Sequence, residues 1–212
     1  MIDKKVFLDQ IENNVKNCQK CRLYQTAKCA VPGEGNIDTP IAFVGEAPGA
    51  TEDATGRPFV GRAGKLLESL LKEIGMERSD VWIGNIIKHR PPENRDPLPD
   101  EIAACEPYLT EQLKAIKPKL VVTLGRFSMN YFFPDGKITR DHGRMIQIGG
   151  YRVYPVYHPA AALRNSSMAA TLREDFLRIP QVLKEVEINL SEKRSDIADP
   201  DQNGQTGLGL VL

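Results

Sequence analysis

Four short apolar runs, separated by helical patterns, constrain what this chain can fold into more than any other feature. The runs are Ile41 to Val44, Val81 to Ile87, Leu120 to Leu124 and Val153 to Tyr157, each ending where Gly, His or Pro punctuates the sequence. Their length and bounding residues mark them as strands. Between them Leu66, Leu67, Leu70 and Leu71 recur with helical period over Ala63 to Ile74, and Ile102, Leu109 and Leu113 do so over Asp100 to Ile116. A shorter helical pattern spans Arg126 to Phe132. Such alternation predicts right-handed crossovers, hence an α/β, three-layer αβα fold around a four-stranded, mostly parallel central sheet. Function then belongs at the carboxyl ends of the strands.

Flanking this core, Val6 to Cys18 predicts an N-terminal helix, and Ala169 to Ile188 a C-terminal one, interrupted or kinked near Pro180. One domain over residues 1–190 is expected. The polar run from Ser191 onward has no apolar period, so 191–212 reads as a flexible tail, closed by the apolar Leu208 to Leu212.

Lys and Arg number 28 and Asp and Glu 28, so the chain lacks the overall basic balance that many nucleic-acid binders show. Local charge differs: Arg57, Arg62 and Lys65 gather in one region, Lys88, Arg90 and Arg95 in a second, and Arg164 stands in a third. Charges at loops can meet phosphates. Nothing near Met1 reads as a secretory leader and no apolar run approaches the roughly 20 residues of a membrane span, so a cytoplasmic protein without membrane contact is expected. The 4 cysteines are too few for a disulfide scaffold, which makes metal ligation the question.

After the first strand, Gly45 and Gly49 bracket Glu46-Ala47-Pro48, and Glu52, Asp53 and Gly56 follow. Glycines there let backbone approach a ligand closely, although the loop lacks the Gly-Lys-Ser/Thr of a P-loop. The full run from Gly45 to Gly64, through Pro58-Phe59-Val60-Gly61-Arg62-Ala63-Gly64, resembles motif A of the family 4 uracil-DNA glycosylases, which carry an iron-sulfur cluster. Tyr157-His158-Pro159-Ala160-Ala161-Ala162-Leu163-Arg164-Asn165 is similar to the same family's motif B.

The resemblance implies a uracil-DNA glycosylase fold and a set of roles. Gly45, Glu46 and Ala47 would lie by the uracil and the attacked sugar, Phe59 would stack on the extruded base, and Asn85 would read its edge. His158 would hold the departing uracil as negative charge builds on its oxygen. Relatives place a leucine four residues after that histidine to fill the emptied stack. Here the position is Ala162, with Leu163 and Arg164 next, and any of these could be the wedge.

The chemistry follows from the bond. A nucleosidic C–N bond breaks as the sugar moves toward an oxocarbenium ion and uracil leaves as an anion, so charge stabilisation should dominate. Glu46 can orient a water and oppose the cationic sugar, with Glu52 a competing candidate for water activation; His158 and the loop amides hold the base. No lysine nucleophile is required, which fits a monofunctional enzyme that leaves an abasic site.

In the family four cysteines hold a 4Fe-4S cluster. Cys18-x-x-Cys21 and Cys105 match three of them, whereas the third position in chain order is His89, sixteen residues before Cys105. Imidazole can replace thiolate on iron, as in Rieske centres, so the resemblance implies a cluster on Cys18, Cys21, His89 and Cys105. Cys29 is the alternative to His89, and Zn2+ the alternative to the cluster. Two other functions remain open: a covalently self-trapping relative, and a non-catalytic nucleic-acid-binding module. The short, proline-rich loop from Arg90 to Pro97 has no histidine for trapping. The expected partner is uracil-containing DNA, single- or double-stranded, met by a monomer.

Overall fold

The computed structural model describes residues 3–198, with side chains described through residue 190. In chain order the elements are α1 (Lys4–Lys16), β1 (Glu34–Gly35), β2 (Ile41–Gly45), α2 (Ala50–Thr55), α3 (Arg62–Glu73), β3 (Trp82–Asn85) and α4 (Pro99–Ile116). There follow β4 (Leu120–Leu124), α5 (Arg126–Phe132), α6 (Ile138–Asp141), β5 (Ile146–Ile148), β6 (Tyr151–Val156), α7 (Pro159–Ala162) and α8 (Ser166–Ala198).

The sheet runs β1-β3-β2-β4-β6-β5. Its four inner strands are parallel, with β2 beside both β3 and β4, and β4 beside β6. These are the strands the sequence predicts. Two antiparallel edge strands bring the total to six rather than four: β1 on β3 and β5 on β6. β1 is two residues long and ends in glycine, so it carries no readable pattern. β5 did leave a signal, since Ile146-Gln147-Ile148 alternates and leads into the Gly149-Gly150 turn of a hairpin, both glycines at positive φ.

All five residues of β2 are buried, because both faces of a parallel sheet are covered. Ile41 and Phe43 pack on one face with Leu67 and Leu71 of α3 and Phe176 of α8. Ala42 and Val44 pack on the other with Leu109 and Leu113 of α4. Each fully buried Leu of this kind contributes about 1.5–3 kcal/mol, so α3 and α4 clamp the strands whose ends carry the loops described below. α1 lies against α4 through Ile11, Val15, Cys18 and Tyr108, which brings the N-terminal cysteines to that side.

Helix ends move slightly from expectation for local reasons. Asp3 accepts from Lys5 N at 2.9 Å and Val6 N at 3.2 Å, so α1 starts at Lys4 rather than Val6. β3 stops at Asn85, yet Ile86 and Ile87 still donate to the carbonyls of Gly45 and Glu46 at 3.0 and 3.1 Å, holding the β2 and β3 exits together. α8 runs through Pro180 and on to Ala198, past the expected boundary at residue 190. The remainder of the expected tail, from residue 199 through Leu208 to Leu212, lies outside the described residues. No helix among the described residues is long and apolar enough to cross a membrane.

Candidate active site

Loops leaving the carboxyl ends of the parallel strands meet in a cleft of about 690 Å³. Glu46, Ala47, Glu52, Phe59, Asn85, His158 and Arg164 all line it. Gly45 packs behind two of these residues: a Cβ there would stand 2.5 Å from Asn85 Oδ1 and 2.5 Å from the Phe59 ring, so only hydrogen lets the amide and the aromatic keep these places.

Asn85 closes β3 and is 1% exposed, with Oδ1 making no hydrogen bond. A buried amide oxygen without a partner costs free energy unless something fills the position. Phe59 is 6% exposed, and its ring centroid lies 5.9 Å from that of His158, the planes inclined by 33°.

Two glutamates enter the cleft with different degrees of freedom. Glu52 is bound by the backbone: Oε1 accepts from Val60 N at 2.9 Å and Gly61 N at 2.7 Å, and Oε2 from Gly49 N at 3.1 Å. It ties the two ends of the Gly45 to Gly64 run together, which leaves both oxygens occupied and argues against the expected alternative of water activation. Glu46 has no such anchor. Burial, reinforced by the charge of Asp96 and opposed by Arg126, raises its carboxyl to about 7.

His158 is the N-cap of α7, and its Nδ1 accepts from Ala160 N at 3.0 Å. The amide must be the donor, so a neutral ring carries its proton on Nε2. Burial, then the charge of Arg164, lower this histidine to about 4 against an opposing pull from Glu52, so the ring is neutral near pH 7. Gly125, at φ 94°, packs against it; a Cβ there would lie 2.8 Å from His158 Cβ.

Sequence reasoning passes over Gly125 and Arg126, which line the cleft after β4. The available signal was a glycine closing a strand on the face where function was expected. The three expected wedge residues separate clearly. Ala162 is 4% exposed and packed in the core, while Leu163 is 41% exposed and Arg164 lines the cleft.

On the α1 and α4 side, Cys18 and Cys105 are buried, Cys21 is half-buried and Cys29 is exposed, all as free thiols. Burial pushes Cys105 up to about 11, with the Lys88 amide opposing; burial also raises Cys21. Cys18 and Cys21 each act on Cys105, so these three are neighbours. His89 is 5% exposed with Nδ1 unpartnered, and Lys88 before it donates a backbone bond to Cys105. Burial lowers the His89 imidazole and Asp53 opposes that shift. Among the described residues no group of three or more His, Cys, Asp or Glu is drawn tightly enough together to hold a metal ion.

Lys88 joins the two regions. Its Nζ donates to Asn85 O at 2.9 Å, Pro32 O at 3.1 Å and Gln112 Oε1 at 2.8 Å, in a side chain only 1% exposed. Burial lowers it to about 8, against an opposing effect of Cys105. A second and larger cleft, about 970 Å³, lies between α1 and residues 28–37. It holds Cys29 and no residue of the first cleft; size alone does not locate the chemistry.

A parallel α/β sheet whose strand ends converge on an enclosed amide, an aromatic face and a neutral histidine defines a site for a small planar polar ligand. A family model described as the Uracil DNA glycosylase superfamily matches residues 32–184. The type-4 uracil-DNA glycosylase of Saccharolobus solfataricus is 46% identical over 212 residues, covering 95% of this chain and 98% of that protein. The type-4 enzyme of Sulfurisphaera tokodaii is 49% identical over 186 residues, 82% of this chain and 84% of its own. That of Thermotoga maritima is 47% identical over 171 residues, 79% of this chain and 88% of its own. The chain therefore belongs to the uracil DNA glycosylase superfamily and, within it, to the type-4 family.

Proposed function

We propose that this protein excises uracil from DNA by hydrolysing the N-glycosidic bond of an extruded deoxyuridine, as a monofunctional enzyme of base excision repair. The observation that carries the reading is Asn85. Its buried, unpartnered Oδ1 stands beside the Phe59 ring in the cleft that neutral His158 also lines. An amide offers an acceptor and a donor along one edge, matching the N3–H and O4 of uracil; cytosine presents the opposite pattern.

Once outside the duplex, the base stacks on Phe59, which replaces the neighbouring bases it leaves behind. As the C1′–N1 bond breaks, its electron pair passes to the uracil ring, and His158 Nε2–H donates to the oxygen where that charge collects. Glu46 accepts a proton from the water that adds to C1′, and its negative charge opposes the cationic sugar. A carboxyl raised to about 7 is a stronger base than an ordinary one, so its shift suits that role. Leu163, exposed beyond the buried turn of α7, fills the vacated stack, with Arg164 at the rim. The enzyme acts as a monomer in the cytoplasm.

Cys18, Cys21, Cys105 and His89 would hold a 4Fe-4S cluster. Three observations support that donor set: the neighbouring thiols, the orphaned His89 nitrogen, and a buried Lys88 ammonium whose hydrogen-bond acceptors are all neutral. A cluster ligated by thiolates would supply the missing negative charge. Cys29 is exposed on the wall of the other cleft, which favours His89 as the fourth ligand. The cluster would supply structure, because uracil release moves no electrons to or from an acceptor.

The test is a uracil-containing oligonucleotide incubated with purified protein and then treated with alkali. Scission at uracil, with a thymine control intact, is the expected result. An uncut uracil strand, or a denaturant-resistant protein–DNA adduct, contradicts the reading.

A further inference from the structure

Phe59 stands at φ 50°, in the left-handed region that a bulky side chain avoids. Such a conformation persists only where its surroundings over-determine it. Residues 57–61 belong to no helix or strand except at Gly61, which caps α3, so side chains supply the hold. On one side Glu52 takes the N–H groups of Val60 and Gly61. On the other, Arg78 Nη1 donates to Phe59 O at 3.0 Å, and Nη2 donates to Pro58 O.

Arg78 is itself held. Its Nε donates to Glu34 Oε1 at 2.8 Å, and Glu34 also receives Arg57 through two bonds of 2.9 Å. The side chain is 19% exposed, and its planar fork meets two carbonyls and a carboxylate at once, which a lysine cannot do. Arg78 opens the short turn that leads into β3, and β3 ends at Asn85. One strand thus connects the group that holds the aromatic to the group that reads the base.

We propose that Arg78, braced by Glu34, is a positioning residue for uracil excision: it acts from outside the cleft by locking the Phe59 backbone so that the ring faces the base. This rests on the uracil-excision reading and adds residues that lie in neither motif. Without the fork, Phe59 relaxes toward right-handed or extended backbone and its ring leaves the stacking plane.

The test is a double-mutant cycle in single-turnover excision with enzyme in excess, run below the melting temperature of every variant. In the Phe59 protein, Arg78→Ala is expected to slow excision about 10- to 100-fold, the range for a misplaced binding group. In the Phe59→Leu background the same change should cost less than about threefold, because a residue acting through Phe59 has nothing left to position. An equal loss in both backgrounds, or no loss in either, overturns the proposal. If Arg78→Ala fails to melt cooperatively, Glu34→Gln runs through the same cycle, and there too a loss confined to the Phe59 background supports the clamp while an equal loss overturns it. Wild-type protein that leaves uracil in place contradicts the function itself, whereas active wild type with an additive cycle contradicts only the clamp.

Discussion

The base cleft and the cysteine corner differ in how completely the chain satisfies them. In the cleft the chain fixes its own polar groups: Glu52 is held by three backbone amides and His158 Nδ1 by Ala160, which leaves Asn85 Oδ1, His158 Nε2 and the Glu46 carboxylate facing the space for substrate and water. In the corner, burial pushes Cys21 and Cys105 toward the protonated thiol, His89 Nδ1 has no partner, and Lys88 lies buried without a carboxylate. One region is preorganised by the chain itself. On the proposed reading the other would be completed by the cluster it holds, because ligation requires the deprotonated sulfurs that burial alone disfavours.

If that division holds, changes in the cleft should cost rate and changes in the corner should cost stability. The largest rate effect is expected for Asn85→Ala, about 100-fold or more on uracil excision, since the base loses the polar edge that reads it. Single-turnover kinetics would show this, with the melting temperature lowered far less than the rate. Cys105→Ser should lower iron content and drop the melting temperature by about 10 °C or more, as expected where metal binding is folding energy. His89→Ala should lower both quantities as well, and Cys29→Ser neither; the reverse result makes Cys29 the ligand.

How much of this was legible beforehand depended on the range of the interaction. The four parallel strands and the main helices followed from apolar period, Phe59 and His158 stood in motifs and Asn85 at a strand end, so their convergence in one cleft followed from the topology. The division between Glu46 and Glu52 was not legible. It depends on amides at residues 49, 60 and 61 that fold back around one carboxylate, an arrangement no local pattern encodes. Ala162 and Leu163 were likewise open alternatives in sequence and differ in burial, Ala162 closing α7 against the core and Leu163 following it in the open. Arg78 is the extreme case, since its partners at residues 34, 58 and 59 are distant in sequence.

Smaller effects sharpen the same contrast. The carboxylate form of Glu46 is the base, and its pKa is raised to about 7, so the excision rate should rise with pH and level off above that value. Below it the rate should fall about tenfold per pH unit as the carboxyl takes up a proton. His158, lowered to about 4, stays neutral throughout and adds no break in that range. A Glu46→Gln variant should be slow and flat across the same range. The smallest change is expected for Leu163→Ala: a loss of a few-fold, about 1 kcal/mol, on duplex substrate and none on single strands, where no stack has to be filled.

The most direct measurement compares free uracil released by wild type and His158→Ala at matched iron content and equal melting temperature. Release by the wild type, with the phosphodiester backbone intact, and a loss of about 100-fold or more in the variant is the expected result. Equal release by the two proteins would contradict the assignment of the chemistry to this cleft.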